Sequence, residues 1–252
     1  MGFKPIIRRL RGKLQGMSTS GVVFVTGGNR GIGLAIAKRF AKDGFKVAVS
    51  YREQKPKEDF YLVKADVTDS KSIDAAIDEI EKNLGPLEVV VINAGTNKDS
   101  LAMRLEDDDM QKIIDTNLMG SLRVARRSVK SMIKNRKGRI IFIGSVVGLL
   151  GSPGQMVYAS TKAGLIGAAR SLAREVGVRG VTVNVVAPGY VDTDMTQDLD
   201  QARKDMITTS TPLGRTASAD EVAGVVRFLA SEDASYITGA VIPVDGGLGM
   251  GH

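Results

Sequence analysis

Val22-Val23-Phe24-Val25-Thr26-Gly27-Gly28-Asn29-Arg30-Gly31-Ile32-Gly33 runs from a continuous apolar stretch through a glycine-rich turn into a helical pattern. Val22 to Thr26 reads as a strand buried on both faces, because β-branched and aromatic residues fill it without polar alternation. Ile32 to Lys42 reads as a helix that ends near Gly44. Gly27 and Gly31 let backbone approach a pyrophosphate, which would sit at the positive end of that helix. Gly33 lets the helix pack closely on the sheet. A glycine-rich turn alone is a weak signal, and its plainer reading is a tight turn. The strand before it and the helix after it favour a dinucleotide site.

The same alternation continues outward. Strands are expected at Val47 to Ser50, Tyr61 to Val63, Val89 to Ile92, Ile140 to Ile143, Val181 to Val186 and Ala240 to Pro243. Helices are expected at Ser70 to Asn83, stopped by Gly85-Pro86, and at Asp107 to Lys134, interrupted near Gly120. Others are expected at Met156 to Val176 and Ala219 to Ala230. This pattern predicts an α/β fold: one Rossmann-type, doubly wound, parallel seven-stranded sheet with helices on both faces. The domain is expected to cover residues 20–252, with no linker and no internal repeat. The polar stretch at about 190–211 contains an expected helix from Gln197 to Ile207 and reads as a substrate lid. Met195, Leu199, Met206 and Ile207 give it an adaptable apolar side.

Composition narrows the chemistry. The chain has 252 residues, no cysteine and one histidine, His252. That argues against thiol nucleophiles, histidine triads, disulfide scaffolds and the usual zinc sites, so no metal is expected. The absence of cysteine suits a reducing cytoplasm, and no apolar run reaches the length of a membrane span. Of the net charge of +7, five units fall on Lys4, Arg8, Arg9, Arg11 and Lys13, so the basic pI is poor support for nucleic-acid binding. Phe3, Ile6, Ile7, Leu10 and Leu14 would line one face of a helix in this leader. It suits an anionic membrane surface or a targeting peptide. The plainer reading, favoured here, is a disordered basic extension over residues 1–19, a cloning remnant or an upstream start, with a second start at Met17.

Tyr158 and Lys162 stand one helical turn apart and offer acid chemistry without histidine. An ammonium about 4 Å from a phenolate, at an effective dielectric near 20, stabilises it by roughly 4 kcal/mol. The expectation is therefore a lowered tyrosine pKa and a proton donor. Taken alone, the pair equally suits a packed tyrosine and a solvated lysine. The ends of the later strands carry Asn93-Ala94-Gly95, Gly144-Ser145 and Ala187-Pro188-Gly189. In a parallel sheet all of these fall at the edge that holds the glycine loop. An acid would end the second strand of an NAD site, but Ser50-Tyr51-Arg52 stands there, and an arginine can bind a 2′-phosphate. Arg30 is placed to approach the same group. This points to NADP(H) over NAD(H), unless Arg52 is only a solvated loop charge. Asp66 suits the adenine amine or a local turn in Asp66-Val67-Thr68-Asp69.

Taken together, Thr-Gly-x3-Gly-x-Gly at 26–33, Asn-Ala-Gly at 93–95, Ser145, Tyr-x3-Lys at 158–162 and Pro188-Gly189 resemble the short-chain dehydrogenase/reductase family. The resemblance covers about residue 20 to the end. Within the family the chain is similar to the 3-oxoacyl-[acyl-carrier-protein] reductases of type II fatty-acid synthesis. Gly138 to Gly148, Asn184 to Thr196 and Phe228 to Ser231 carry that likeness, and the ending Ile242 to His252 is similar to the actinobacterial, mycobacterial type.

The resemblance implies a cofactor-facing set of Gly27, Asn29, Arg30, Gly31, Ile32, Gly33, Arg52, Asp66, Val67, Asn93, Ala94, Gly95, Ile143, Pro188, Gly189, Val191 and Thr193, joined by Tyr158 and Lys162. It implies that NADPH reduces the C3 ketone, that Tyr158 gives the proton, that Lys162 holds the ribose, and that Ser145 orients the carbonyl. Asn117 would anchor a water feeding Lys162, or would only bond its helix neighbours. Ser145 alternatively caps a turn. The substrate would arrive on an acidic carrier protein docked at Arg136 and Arg179, expected near the entrance; solvated charges at helix ends are the even alternative. A cytoplasmic homotetramer is implied. The competing functions are reduction of acetoacetyl-CoA or another carbonyl, a catalytically idle NADP sensor, and a nucleic-acid module resting on the leader alone.

Overall fold

The computed structural model describes residues 21–53, 55–193 and 201–250, with the backbone alone of 201–204. The basic extension, Met195, Leu199, the expected helix start at Gln197 and His252 lie outside the described residues. The strands are β1 (Val22–Val25), β2 (Lys46–Tyr51), β3 (Tyr61–Lys64), β4 (Leu87–Ile92), β5 (Gly138–Ile143), β6 (Val181–Pro188), β7 (Val191–Asp192), β8 (Ala217–Ser218) and β9 (Val241–Val244). The helices are α1 (Gly31–Lys42), α2 (Ser70–Leu84), α3 (Asp107–Ile114), α4 (Gly120–Asn135), α5 (Val147–Leu150), α6 (Met156–Val176), α7 (Gln201–Ser210) and α8 (Ala219–Leu229).

Successive strand residues point to opposite faces, so β1 feeds two cores at once. Val22 and Phe24 join one apolar cluster with Ile77 and Ile80 of α2, Val124 of α4, and Leu165 and Ala169 of α6. Val23 and Val25 join another with Ile36 and Phe40 of α1 and Val226 and Leu229 of α8. The expected doubly wound sheet follows: seven strands in the order β3-β2-β1-β4-β5-β6-β9, every pair parallel. From β1 the chain winds out to β2 and β3, then returns to β4 on the other side. That reversal opens a crevice at the carboxyl ends of β1 and β4.

The long helix expected over 107–134 is interrupted as expected, but by a wide π turn at Asp115–Met119 between α3 and α4. Such turns frequently mark functional sites. Gly120 follows because a Cβ there would come within 2.8 Å of Val67 Cγ2. The stretch read as a lid is bracketed by the small parallel pair β7–β8, in register at Val191 with Ala217. The sequence reading did not anticipate this pair, because two-residue strands carry no periodicity. Within α7, Met206 is exposed and Ile207 is buried, so only Met206 fits the expected apolar lid surface. No helix among the described residues is long and apolar enough to cross a membrane.

The crevice requires glycine at one helical position. A Cβ on Gly33 would lie 2.5 Å from both Asn93 Nδ2 and the Gly27 carbonyl oxygen. Gly33→Ala is expected to cost about 1–3 kcal/mol by overpacking. Gly224→Ala, where a Cβ meets nothing within 4 Å, is expected to be neutral or stabilising by helix propensity. Urea denaturation of both variants checks the contrast.

Candidate active site

The glycine loop is fastened to its neighbouring strands by side chains. Thr26 Oγ1 accepts the N–H groups of Asn93 (3.0 Å) and Ala94 (3.1 Å), and Asn93 Nδ2 donates to the carbonyls of Thr26 (3.1 Å) and Gly27 (2.9 Å). Gly27 N donates to Ser50 Oγ at 3.0 Å, which ties the loop to the end of β2. Gly27 and Gly31 have φ of 62° and 52°, the left-handed region that favours glycine. At the start of α1, Arg30 makes no side-chain cap and the first turn has no acid. The orphan N–H groups of this turn therefore face a cradle suited to a phosphate. Thr193 closes one side, 3.5 Å from where a Cβ on Gly31 would stand. Gly189 packs against Asp245, whose Cα would be 2.8 Å from an added Cβ, and Val191 is buried in the α1-side core. A dinucleotide pyrophosphate fits this arrangement.

Beyond the end of β2, Arg52 is exposed and pairs with Glu53 at 3.2 Å. A cavity of about 220 Å³ lies beside the loop, lined by Asn29, Lys55, Pro56, Lys57 and Glu58. Sequence reasoning weighed Lys55 only as a neighbour of a solvated Arg52 and assigned neither it nor Lys57 to the site, although the mixed run of basic residues from Arg52 to Lys57 was the signal. Asp66 shows its local reading directly: Oδ1 accepts from Thr68 N (2.9 Å) and Thr68 Oγ1 (2.8 Å). Burial pushes its carboxyl up, but these bonds and the charges of Arg52 and Arg123 outweigh it and hold the pKa below the usual range. Val67 packs beneath Gly120. A larger groove of about 530 Å³ between α2 and α4, lined by Asp74, Asp78 and Arg127 among others, lies away from the glycine loop and the Tyr158 helix.

Ser145, Tyr158 and Lys162 are brought together where β5 ends and α6 begins. Gly144 N donates to Val186 O (2.7 Å) and Val146 N to Pro188 O (2.8 Å), which holds Ser145 beside the end of β6. Ser145 Oγ accepts from Val147 N at 3.2 Å, so the turn-capping reading also holds. It also stands close enough to Tyr158 to favour the phenolate. Lys162 is only 6% exposed, and its Nζ donates to the Ile143 carbonyl at 2.8 Å. Gly148 makes that burial possible, since a Cβ there would come within 2.9 Å of Lys162. Burial lowers the lysine pKa to about 8.

One expectation is overturned. Lys162 Nζ lies 5.5 Å from the Tyr158 ring centroid, yet the phenol is not acidified. Burial raises the Tyr158 pKa, the neighbouring Ser145 hydroxyl opposes that, and the charge of Asp99 adds to it. The reason is that desolvation disfavours both charged forms, and the ammonium is turned to a backbone carbonyl.

Asn117 is fully buried in the π turn. Its Oδ1 accepts from Thr96 N and its Nδ2 donates to Thr96 O, both at 2.8 Å, with Thr161 Oγ1 at 3.5 Å. The side chain thus clamps the segment after Gly95, and a Cβ on Gly95 would stand 3.3 Å from Asn117 Oδ1. Arg136, at φ 51°, donates from Nη2 to Val178 O at 3.0 Å, which holds it beside the turn that carries Arg179. Their expected place near the entrance is corrected. They precede β5 and β6, whereas Ser145 and Pro188 follow or end those strands. The pair lies at the amino edge of the sheet, across from the active residues. Among the described residues no group of three or more His, Cys, Asp or Glu side chains is arranged to hold a metal.

A glycine cradle at the switch point, facing a buried lysine, a tyrosine and a serine, defines a Rossmann-type dinucleotide-dependent oxidoreductase. A family model described as enoyl-(acyl carrier protein) reductase matches residues 27–249, and the chain belongs to the short-chain dehydrogenase/reductase family. It is 55% identical to the 3-oxoacyl-[acyl-carrier-protein] reductase MabA of Mycobacterium tuberculosis, over 91% of this chain and 93% of that protein. To the protein of the same name from Mycobacterium avium it is 53% identical, over 91% and 90%. To the 3-oxoacyl-[acyl-carrier-protein] reductase FabG of Escherichia coli it is 44% identical, over 91% and 97%.

The depressed Lys162 pKa has a thermodynamic consequence. Between about pH 8 and 10.5 the unfolded chain holds a proton on this lysine that the folded chain has released. Stability then rises with pH through that window. Relative to a Lys162→Met variant, the parent protein is expected to gain stability as pH is raised from about 8 toward 10.5. Denaturation curves of both proteins across that range check the sign.

Proposed function

We propose that this chain reduces 3-oxoacyl thioesters carried on acyl carrier protein to 3-hydroxyacyl thioesters, with NADPH as reductant. The observation that carries this reading is the meeting of Ser145, Tyr158 and buried Lys162 at the sheet edge that holds the glycine cradle. The relatives named as 3-oxoacyl-[acyl-carrier-protein] reductases support the substrate class. The family model's description names an enoyl reductase, whose substrate is a carbon–carbon double bond. Here a serine and a tyrosine hydroxyl stand side by side, a pairing suited to gripping one carbonyl oxygen.

The nicotinamide cofactor supplies the hydride when bound. The N–H groups of the first turn of α1 and the backbone of Gly27 to Gly33 would hold its pyrophosphate. Asn29, Arg30 and Arg52, with Lys55 and Lys57 beside them, would face a 2′-phosphate, and cations there favour NADPH over NADH. Asp66 and Val67 would take the adenine side. Ile32, Asn93, Ala94, Gly95, Ile143, Pro188, Gly189, Val191 and Thr193 would line the remainder. Ser145 orients the ketone oxygen. Tyr158 keeps its proton until that oxygen becomes an alkoxide, then gives it up. Lys162 would hold the ribose and stabilise the phenolate left behind. Asn117 acts by positioning the 93–96 turn.

Residues 20–252 act as one reductase domain, with residues 190–211 as its lid and 1–19 as an extension outside it. A cytoplasmic homotetramer completes the reading, supported by exposed Met119 and Met156 and by Gly167, where a Cβ would meet nothing within 4 Å. Carrier docking at Arg136 and Arg179 fits this assembly rather than a lone subunit. Two copies of α6 packed antiparallel about a two-fold axis would set the Arg179 end of one beside the Tyr158 end of the other.

Steady-state oxidation of NADPH and NADH with acetoacetyl carrier protein and acetoacetyl-CoA tests the function. NADPH preference with higher kcat/KM on the carrier is expected; turnover on CoA alone would move the reading to a CoA-linked reductase. Tyr158→Phe is expected to lower kcat by about 10²–10⁴-fold while NADPH still binds, measured by nucleotide fluorescence. Charge reversal at Arg136 and Arg179 together is expected to raise KM for the carrier-linked substrate and to leave a small ketone unaffected.

A further inference from the structure

The turn that follows β9 lies between the foot of α7 and the loop that carries Ser145. Asp245 Oδ1 accepts from Gly247 N at 2.9 Å, and Oδ2 accepts from Gly249 N at 2.8 Å. Gly247, at φ 90°, lies against the foot of α7, where an added Cβ would stand 2.9 Å from Pro212 Cγ. A Cβ on Gly246 would stand 2.7 Å from Thr211 Cγ2, and the Gly246 carbonyl accepts from Leu213 N at 3.1 Å. Gly249 lies against the opposite wall, with an added Cβ 2.8 Å from Val146 Cγ2 and 3.9 Å from Leu150 Cδ1. Val146 directly follows Ser145. On the nucleotide side, Gly189 meets the Cα, Cβ and carbonyl of Asp245 rather than its carboxylate.

We propose that Asp245 is a positioning residue for the ketone substrate: its two carboxylate oxygens set the spacing between the foot of α7 and the loop that carries Ser145. The inference rests on the carbonyl-reductase reading above, with residues 190–211 as lid, and names what holds the foot of that lid. A turn this rich in glycine has many backbone conformations and loses much entropy when ordered. Two charge-assisted bonds to one carboxylate select a single conformation. One oxygen fixes the glycine that faces the lid, and the other fixes the glycine that faces the serine loop. The two walls are thereby held in one geometry by one side chain. Asparagine cannot do the same, because its amide nitrogen would face one of the two N–H donors. The nucleotide side is spared by that substitution, since the atoms that Gly189 meets are kept.

The test measures kcat and KM on an acetoacetyl thioester of CoA or of the carrier, whichever the parent protein reduces, together with the Kd of NADPH by nucleotide fluorescence. Asp245→Asn is expected to raise KM for the thioester about tenfold, the lower end for one lost hydrogen bond to a charged group. Its kcat should change less than KM, and its NADPH Kd should stay within about twofold of the parent value. Gly247→Ala presses on Pro212 and leaves the carboxylate in place, and it is expected to raise KM in the same sense. An unchanged KM in both variants would overturn the proposal. So would a rise in NADPH Kd that matches the rise in KM, which marks a general loosening of the fold. Two variants that cannot be isolated folded would make Asp245 a folding residue and end the proposal as well. A parent protein that binds NADPH but reduces neither thioester would instead sink the carbonyl-reductase reading, an outcome read before any variant is made.

Discussion

The reciprocal bonding of Thr26 and Asn93 is the constraint on which the site depends. β1 and β4 are neighbours in the sheet although 67 residues separate these two side chains in sequence. Where the strands end, the ladder of backbone bonds ends too, and buried N–H and C=O groups must find other partners. Thr26 takes two backbone N–H groups with one hydroxyl oxygen, and Asn93 serves two carbonyls with one amide. The glycine loop is thereby fixed to the strand across the crevice. The same closeness is why α1 must begin with a residue lacking Cβ at position 33. A cradle held this way is organised before any anion arrives, which spares the ordering cost at binding.

Burial sets the second feature of the site, the protonation order of its two catalytic candidates. Desolvation lowers the pKa of Lys162 and raises that of Tyr158. The lysine thus titrates below the tyrosine, the reverse of a simple ion pair in which the ammonium acidifies the phenol. The arrangement keeps the tyrosine neutral near pH 7 and able to donate. Its proton becomes transferable only when an adjacent oxygen turns strongly basic, which is the event of ketone reduction. The buried ammonium is the counterpart of that event: once a phenolate forms, a nearby cation in a low-dielectric setting stabilises it far more than in water. Gly148 and the Ile143 carbonyl belong to this argument, since one admits the lysine and the other supplies its hydrogen bond.

Much of this was legible in the sequence. Unbroken apolar strands alternating with helical patterns gave the parallel sheet and its double winding, because each strand had to be covered on both faces. Strand ends carrying small and hydroxylated residues located the edge of the site. What was not legible depended on contacts across the fold. The π turn at Asp115–Met119 comes from Gly120 meeting Val67 and from Asn117 reaching Thr96, neither visible in a helical periodicity. The direction of the tyrosine shift required knowing how deeply both groups are buried. Lys55 and Lys57 belong to a cavity wall that only the turn between β2 and β3 creates.

The position of Arg136 and Arg179 shows a general hazard in reading parallel sheets. A residue just before a strand and a residue just after it are close in sequence, yet they sit on opposite edges. Six residues of β5 at about 3.3 Å each place them roughly 20 Å apart. Arg136 and Ser145 flank the same strand and so belong to opposite sides of the sheet. Basic character near a strand therefore says nothing about proximity to a ligand until the strand's direction is considered. For this chain the consequence is specific. A carrier held by Arg136 and Arg179 cannot use the shortest route within the same subunit, whereas an antiparallel pairing of α6 helices would turn the amino edge of one subunit toward the catalytic end of the other. The antiparallel symmetry of a dimer would then be part of substrate delivery, and a patch remote from chemistry within one chain would become local to it in the assembly.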